Sequence, residues 1–424
     1  MPWRRSAATS RVSLPASEIP PIAIGTPAYR ALTLAMLFAG FSTFSLLYAV
    51  QPLLPLFAAE YRLSAAGASL AVSLATGPLA IGIVLAGLAS DRLGRRPLMV
   101  AAMTLAGALT LLAAAAPGWG WLLAARLLTG LALAGVPAVA MAYVAEEVDG
   151  ASVGAAMGLY IAGSAIGGMG GRLAASLVAD VAGWRPALAT VGLAGLAMAE
   201  AFRRLAPPSR RFAPRAVHPR SVVADLMVLL RDRALPLLYL EGFLLMGLFV
   251  TLYNYAGFRL ALPPYSLGQA AIGAVFLLYL LGSWSSAWFG ARAGRLGRRR
   301  VFWQPIVLAI AGTALTAATP LALVVAGIGV ATIGFFGAHS IASAWVGRRA
   351  GERRGAAASW YLFAYYLGSS VLGSLGGLAW SRAGWPGVTG FCLVLGGLAL
   401  AGGVLLGRVA PLPGNAVPPS VPEA

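Results

Sequence analysis

The segment Gly87-Leu-Ala-Ser-Asp91-Arg92-Leu-Gly94-Arg95-Arg96 separates two apolar runs, residues 68–86 and 97–116. Each is close to the roughly 20 residues that a helix needs to cross a bilayer. Ten residues carrying three arginines are too few for a domain, so the segment reads as a charged turn held at a membrane surface. It returns in the second half as Gly290-Ala-Arg292-Ala-Gly294-Arg295-Leu-Gly297-Arg298-Arg299-Arg300. The copy keeps the Gly, Arg, Gly, Arg-Arg spacing and replaces the aspartate with Gly294. A turn repeated between bilayer-length runs makes this a duplicated membrane protein.

Composition narrows the class further. Hydrophobic residues make up 59% of the chain and charged residues only 10%, which excludes an ordinary soluble domain. The net charge of +18 could suggest nucleic acid. However, the arginines sit in short turns and the aromatic residues inside the apolar runs, so membrane topology explains the charge and no nucleic-acid partner is expected. All 31 basic residues are arginine, which excludes a Walker A lysine and a Schiff-base cofactor. Cys392 stands alone, and His218 falls in a polar loop far from His339. Neither an internal disulfide nor a metal site is expected.

Twelve spans fit, at about 31–57, 66–89, 96–116, 119–145, 151–179, 185–202, 235–259, 269–291, 300–318, 321–346, 353–380 and 386–407. The expected organisation is a disordered cytoplasmic tail (1–30), a six-helix bundle (31–202) and a basic cytoplasmic linker (203–234). A second six-helix bundle (235–407) and a disordered cytoplasmic tail (408–424) complete it. With both termini inside, 25 arginines face the cytoplasm and four (Arg62, Arg185, Arg259, Arg382) face outward, while Arg126 and Arg172 lie within spans. That asymmetry sets the orientation.

The duplication extends beyond the arginine turn. Ala182-Gly183-Trp184 precedes span 6 and Ala383-Gly384-Trp385 precedes span 12, each tryptophan suited to an interfacial belt. Span 5 carries Gly163, Gly167, Gly168, Gly170 and Gly171, and span 11 carries Ser369, Gly373, Gly376 and Gly377. Spacings of three and four place small residues on one helical face, and both faces are expected to meet the opposite half.

These features resemble the major facilitator superfamily across nearly the whole chain. Gly87 to Arg96 matches that family's turn between helices 2 and 3, G-x-x-x-D-R-x-G-R-R. Arg126-Leu-Leu-Thr-Gly130 is similar to its helix 4 motif, and Gly163 to Gly171 resembles the helix 5 glycine run of drug and metabolite antiporters, without that run's proline. Glu241-Gly-Phe-Leu-Leu-Met-Gly, Gly334-Phe-Phe-Gly-Ala-His339-Ser and Tyr365-Tyr366-Leu-Gly-Ser-Ser look like YnfM-type bacterial inner-membrane transport proteins, grouped with sugar and drug effluxers. The resemblance implies an all-α integral membrane fold of twelve helices in two pseudo-symmetric bundles. It also implies a monomer in the bacterial inner membrane, a small-molecule substrate, and no cofactor, with a proton gradient as energy source.

Several residues are singled out for chemistry. Asp91, beside Arg92, Arg95 and Arg96, can accept from a helix N-terminus in the opposite half and so act as a cytoplasmic latch; otherwise these charges fix topology and cap helix ends. In the second copy, Gly290, Arg295, Gly297, Arg298 and Arg299 lack the acceptor. A charge inside a span costs roughly 2.5 to 3.5 kcal/mol on insertion scales, so Arg126, Arg172 and Glu241 must be paired or face water. The family places the arginine at position 126 by the central cavity with a part in proton transfer; a structural ion pair is the alternative. Glu241 is either a proton-coupling carboxylate or a packing group near the end of span 7. Substrate contacts are expected from Tyr48, Gln51, Met141, Ser164, Tyr253, Asn254, His339, Ser340 and Tyr365. Their chemistry suits a neutral or weakly charged, partly apolar molecule, and the two membrane arginines would tolerate an anion. The leading expectation is proton-coupled efflux of a small organic solute, with an uptake symporter or a non-transporting sensor on the same fold as alternatives. No Asp-rich metal motif or His/Cys cluster supports an enzyme.

Overall fold

The computed structural model describes residues 19–212 and 219–410, apart from the side chains of 87–89 and 219–221. His218 and the tails 1–18 and 411–424 lie outside the described residues. Helices occupy all twelve expected places. Spans 2, 3, 5, 6, 7 and 10 are single helices: Ala65–Leu93, Arg95–Ala114, Val153–Ala182, Trp184–Leu205, Leu235–Ala261 and Leu321–Ala350. Eight stretches are long and apolar enough to cross a membrane. The last, Leu321–Arg408, takes in spans 10 to 12, so these stretches hold ten of the twelve spans, and the other two, spans 6 and 9, are helical as well.

The other spans are broken where the sequence removes a donor or favours a turn. Span 1 is Pro27–Tyr48, a 3-10 turn Gln51–Leu53 and a second helix Leu54–Tyr61. Pro52 has no N–H to give the Tyr48 carbonyl, so the first helix stops there. Span 4 runs Trp119–Leu133 and Pro137–Glu147, divided at Gly135 and Pro137. Span 8 is Gln269–Ala274, a 3-10 segment Val275–Leu278 and Tyr279–Leu296; span 9 is Arg298–Val301 and Trp303–Leu315. Residues Arg354–Arg408 hold spans 11 and 12, which meet where Ala383 and Gly384 leave helical geometry.

The duplication is visible in the backbone. Gly94 and Gly297 both adopt φ +88°, and Gly183 and Gly384 adopt +84° and +58°. Only glycine takes such values without strain, so each repeated motif is built around its turn. The tryptophans that follow are packed inside the protein, being only 4% (Trp184) and 7% (Trp385) exposed. Each is drawn inward because its indole N–H has a partner in its own bundle: Glu60 for Trp184, and the Thr316 carbonyl at 2.9 Å for Trp385.

Two expectations are corrected. The chain is ordered before residue 31: Ile22 pairs with Val148 and the first helix starts at Pro27, capped by Thr26. The glycine face of span 5 packs within its own half. A methyl group on Gly163 would lie 2.2 Å from the Leu37 carbonyl of span 1, and Gly167 and Gly171 meet Phe41 and Ser45. On span 11, Gly373 and Gly376 likewise meet Val250 and Thr251 of span 7, while Gly377 meets both Tyr255 and Ala66 of the opposite half. Close backbone approach is therefore used chiefly to build each bundle. The linker is also more than a loop, since Pro219–Leu229 is helical and Asp232 caps span 7 while pairing with Arg349 at 2.7 Å.

Candidate substrate and coupling site

The two buried arginines have different surroundings. Arg126 is fully buried and donates from Nε to the Ala71 carbonyl (3.0 Å), from NH1 to Leu46 (2.9 Å) and from NH2 to Leu47. The Leu46 and Leu47 carbonyls lose their helical donors because span 1 stops at Tyr48, so the guanidinium caps a broken helix at its negative end. The ion pair, the alternative reading, is not formed: among the described residues no carboxylate pairs with Arg126.

Arg172, on span 5, sits at the contact between bundles. Its Nε donates to Gln51 Oε1 (2.7 Å) and its NH1 to the Gly168 carbonyl (2.5 Å). The guanidinium lies 4.4 Å from the Tyr48 ring centre, 5.1 Å from Phe276 and 5.0 Å from Tyr279. Gln51 Nε2 in turn donates to Asn254 Oδ1 of span 7 (2.7 Å), carrying a polar chain from one bundle to the other.

From Tyr279 an aromatic wall runs through the second bundle. Tyr253 meets Tyr279 edge-on at 5.2 Å and bonds Thr332, while Phe249 stacks on Phe335 at 3.9 Å. Phe335 stacks with His339, which lies 4.7 Å from Tyr365 and shares a 3.0 Å hydrogen bond between its Nδ1 and the Tyr361 hydroxyl. Offset and edge contacts of this kind hold rings rigidly.

The expected substrate residues therefore divide into three groups. Tyr48, Gln51 and Asn254 gather with Arg172, and Tyr253, His339 and Tyr365 join the wall. Met141 is exposed on span 4, Ser164 bonds its own helix at the Tyr160 carbonyl against Gly40 of span 1, and Ser340 ties span 10 to the Ser286 carbonyl. Sequence reasoning missed Phe249, Phe276, Tyr279, Phe335 and Tyr361. The signal was present as aromatic or His pairs four apart, Phe249 with Tyr253, Phe335 with His339 and Tyr361 with Tyr365, each on one helical face.

Glu241 lies between Gly402 of span 12 and the Tyr361 end of the wall. It is buried, neither carboxylate oxygen has a hydrogen-bond partner among the described residues, and its Oε1 lies 2.5 Å from where a methyl on Gly402 of span 12 would stand. Leaving a carboxyl without donors inside a span is costly.

The repeated arginine turns differ as their sequences do. Arg95 pairs with Asp91 (2.7 Å) and Glu146 at the end of span 4 (2.8 Å), and lies over Phe212. Arg96 donates to the Arg203 carbonyl at 2.5 Å. Asp91 is thus held inside its own bundle, with no partner in the opposite half among the described residues. In the second copy Gly294 supplies no acceptor, and Arg292 bonds Gln304 instead (3.2 Å).

Two bundles of helices, several of them broken, that meet at a buried polar and aromatic cluster form the architecture of a membrane transporter. The chain belongs to the major facilitator superfamily, whose sequence profile, described as Major Facilitator Superfamily, matches residues 34–292. It is 45% identical over 384 residues to the inner membrane transport protein YnfM of Escherichia coli (strain K12), covering 91% of this chain and 92% of that one. It is 43% identical to the MFS-type transporter YybF of Bacillus subtilis (strain 168), covering 86% and 91%. Among solved structures, a mutant of the nucleoside transporter NupG superposes with a TM-score of 0.71 at 16% identity (88% and 98% covered). A D-xylose-proton symporter gives 0.71 at 15% (91% and 98%). The protein is accordingly a multi-pass inner-membrane transporter.

Proposed function

We propose that the protein exports a small organic solute in exchange for protons by alternating access, with both termini in the cytoplasm. One observation carries the alternating-access part. Among the described residues, the hydrogen bonds between bundles gather from mid-membrane to the end remote from the termini: Gln51 to Asn254, Gln269 to the Pro52 carbonyl, Ala270 N–H to Asp180, Ser370 to the Ser73 carbonyl and Ser374 to Ser73. The arginine turn at the other end holds only its own bundle. With the orientation read from the arginine asymmetry, this is a state closed to the outside, and the Asp91 latch engages when the molecule inverts. Export is supported by the helix 5 glycine run. Proton coupling is supported by Glu241, a carboxyl with no fixed donor, close to the Tyr361–His339 pair.

The reading is tested with purified protein in proteoliposomes as sugars, amphiphilic drugs and organic anions are added with and without a pH gradient. Proton movement tied to one compound class is expected. Solute flux that ignores the pH gradient would remove the coupling, and binding without flux would favour a sensor.

A further inference from the structure

Arg172 is a buried cation whose surroundings are incomplete. It is 2% exposed, no carboxylate pairs with it among the described residues, and three rings surround it. Close by, three polar groups are buried and under-satisfied: Asn254 Nδ2 has no partner, and the Tyr48 and Ser369 hydroxyls neighbour each other without a close hydrogen bond. Tyr48, Asn254 and Ser369 are 3%, 1% and 0% exposed. Native interiors leave few such groups without partners, so several around one arginine call for a specific cause.

Their arrangement is that of a donor set. The Tyr48 ring lies under the guanidinium. Asn254 gives its oxygen to Gln51, so only its N–H donors remain free. A methyl on Gly373 would stand 3.4 Å from that Nδ2, and Ser369 is one helical turn before Gly373 on the same face of span 11. Donors from spans 1, 5, 7 and 11 thus gather in one region, and the two acceptors that Arg172 meets, Gln51 Oε1 and the Gly168 carbonyl, are already engaged. An anion completes such a set through charge-assisted hydrogen bonds.

We propose that Arg172, with Asn254, Tyr48 and Ser369, binds the carboxylate of the transported solute, and that this solute is a monocarboxylate with an aromatic body. The assignment rests on the reading of the chain as a solute transporter. The body lies along the wall that begins at Tyr279 and continues to Phe335 and His339. A single negative charge is specified because Arg126, the other arginine within the spans, already donates to three carbonyls.

The test uses the full-length protein and matched probes, hydrocinnamate, hydrocinnamamide and phenylpropylamine, with naphthyl versions of each. Hydrocinnamate or its naphthyl version should bind at least about tenfold tighter than the amide, with the amine weakest. Arg172→Gln should erase that preference. Tyr48→Phe removes only a hydroxyl that neighbours the Ser369 hydroxyl, and should weaken acid binding about fivefold while leaving the amide unchanged, which a structural role would not do. It carries the test with Asn254→Ala should Arg172→Gln not accumulate. Equal binding of acid and amide, a preference that survives these variants, or binding of none of the probes would overturn the assignment. Sealed vesicles separate this from the transport reading. Movement of the amide and not the acid overturns the carboxylate site and leaves transport standing, whereas acid binding that depends on Arg172 without movement keeps the site and overturns transport.

Discussion

At the residue scale, three ionisable side chains placed in spans by the sequence prove to have three different surroundings. Arg126 holds carbonyls that the break in span 1 leaves without donors, so its role in this structure is to stabilise the break. Arg126→Ala should lower stability by about 3 kcal/mol, seen as a drop in the unfolding temperature in detergent, because charged hydrogen bonds are lost and buried carbonyls left unpaired. A fully stable Arg126→Ala protein that had lost only its response to the gradient would instead assign it to coupling. Glu241 has the opposite environment, with no donor near its oxygens. Glu241→Gln keeps the shape and removes the exchangeable carboxyl, so the pH dependence of transport should flatten while the fold survives; an unaltered pH profile would clear it of coupling. The sequence reveals that a charge lies inside a span but not what faces it, because rotation and neighbouring breaks decide the partner.

At the scale of elements, the glycine faces set how closely helices within a bundle approach. Gly163→Val would force side-chain atoms into the Leu37 backbone, separating spans 1 and 5 at a cost of about 3 kcal/mol. Gly158→Ala on the same helix meets open space and should leave stability unchanged. Folded yield by size-exclusion chromatography checks the pair; equal losses would mean that close approach to span 1 is not what constrains span 5. The periodicity that identified this face was readable in the sequence, as were the twelve helices and the duplicated turns at Gly94 and Gly297. The partner of the face was not, because small residues allow any helix to approach and only the assembled bundle selects span 1. The aromatic wall escaped notice for a related reason. Phe335 and His339 lie four apart in an apolar run, where such pairs ordinarily mark core, and only the stacking of three helices turns them into one surface.

At the scale of the whole molecule, the two bundles are joined from mid-membrane to the end remote from the termini and separately held at the other. Gln51 and Asn254 place the polar chain from Arg172 within that closure, so the proposed solute contacts and the proposed gate share residues. Alternating access then requires these bonds to break in every cycle. The Ser73 and Ser374 hydroxyls, 2.6 Å apart, offer a direct handle on that step. The decisive measurement is proton-linked solute flux through the Ser73→Cys, Ser374→Cys double variant with Cys392→Ala, in proteoliposomes before and after oxidation. Oxidation should form a cross-link that locks the closure and stops flux, and reduction should restore it. Undiminished flux with the cross-link in place would contradict alternating access through this interface.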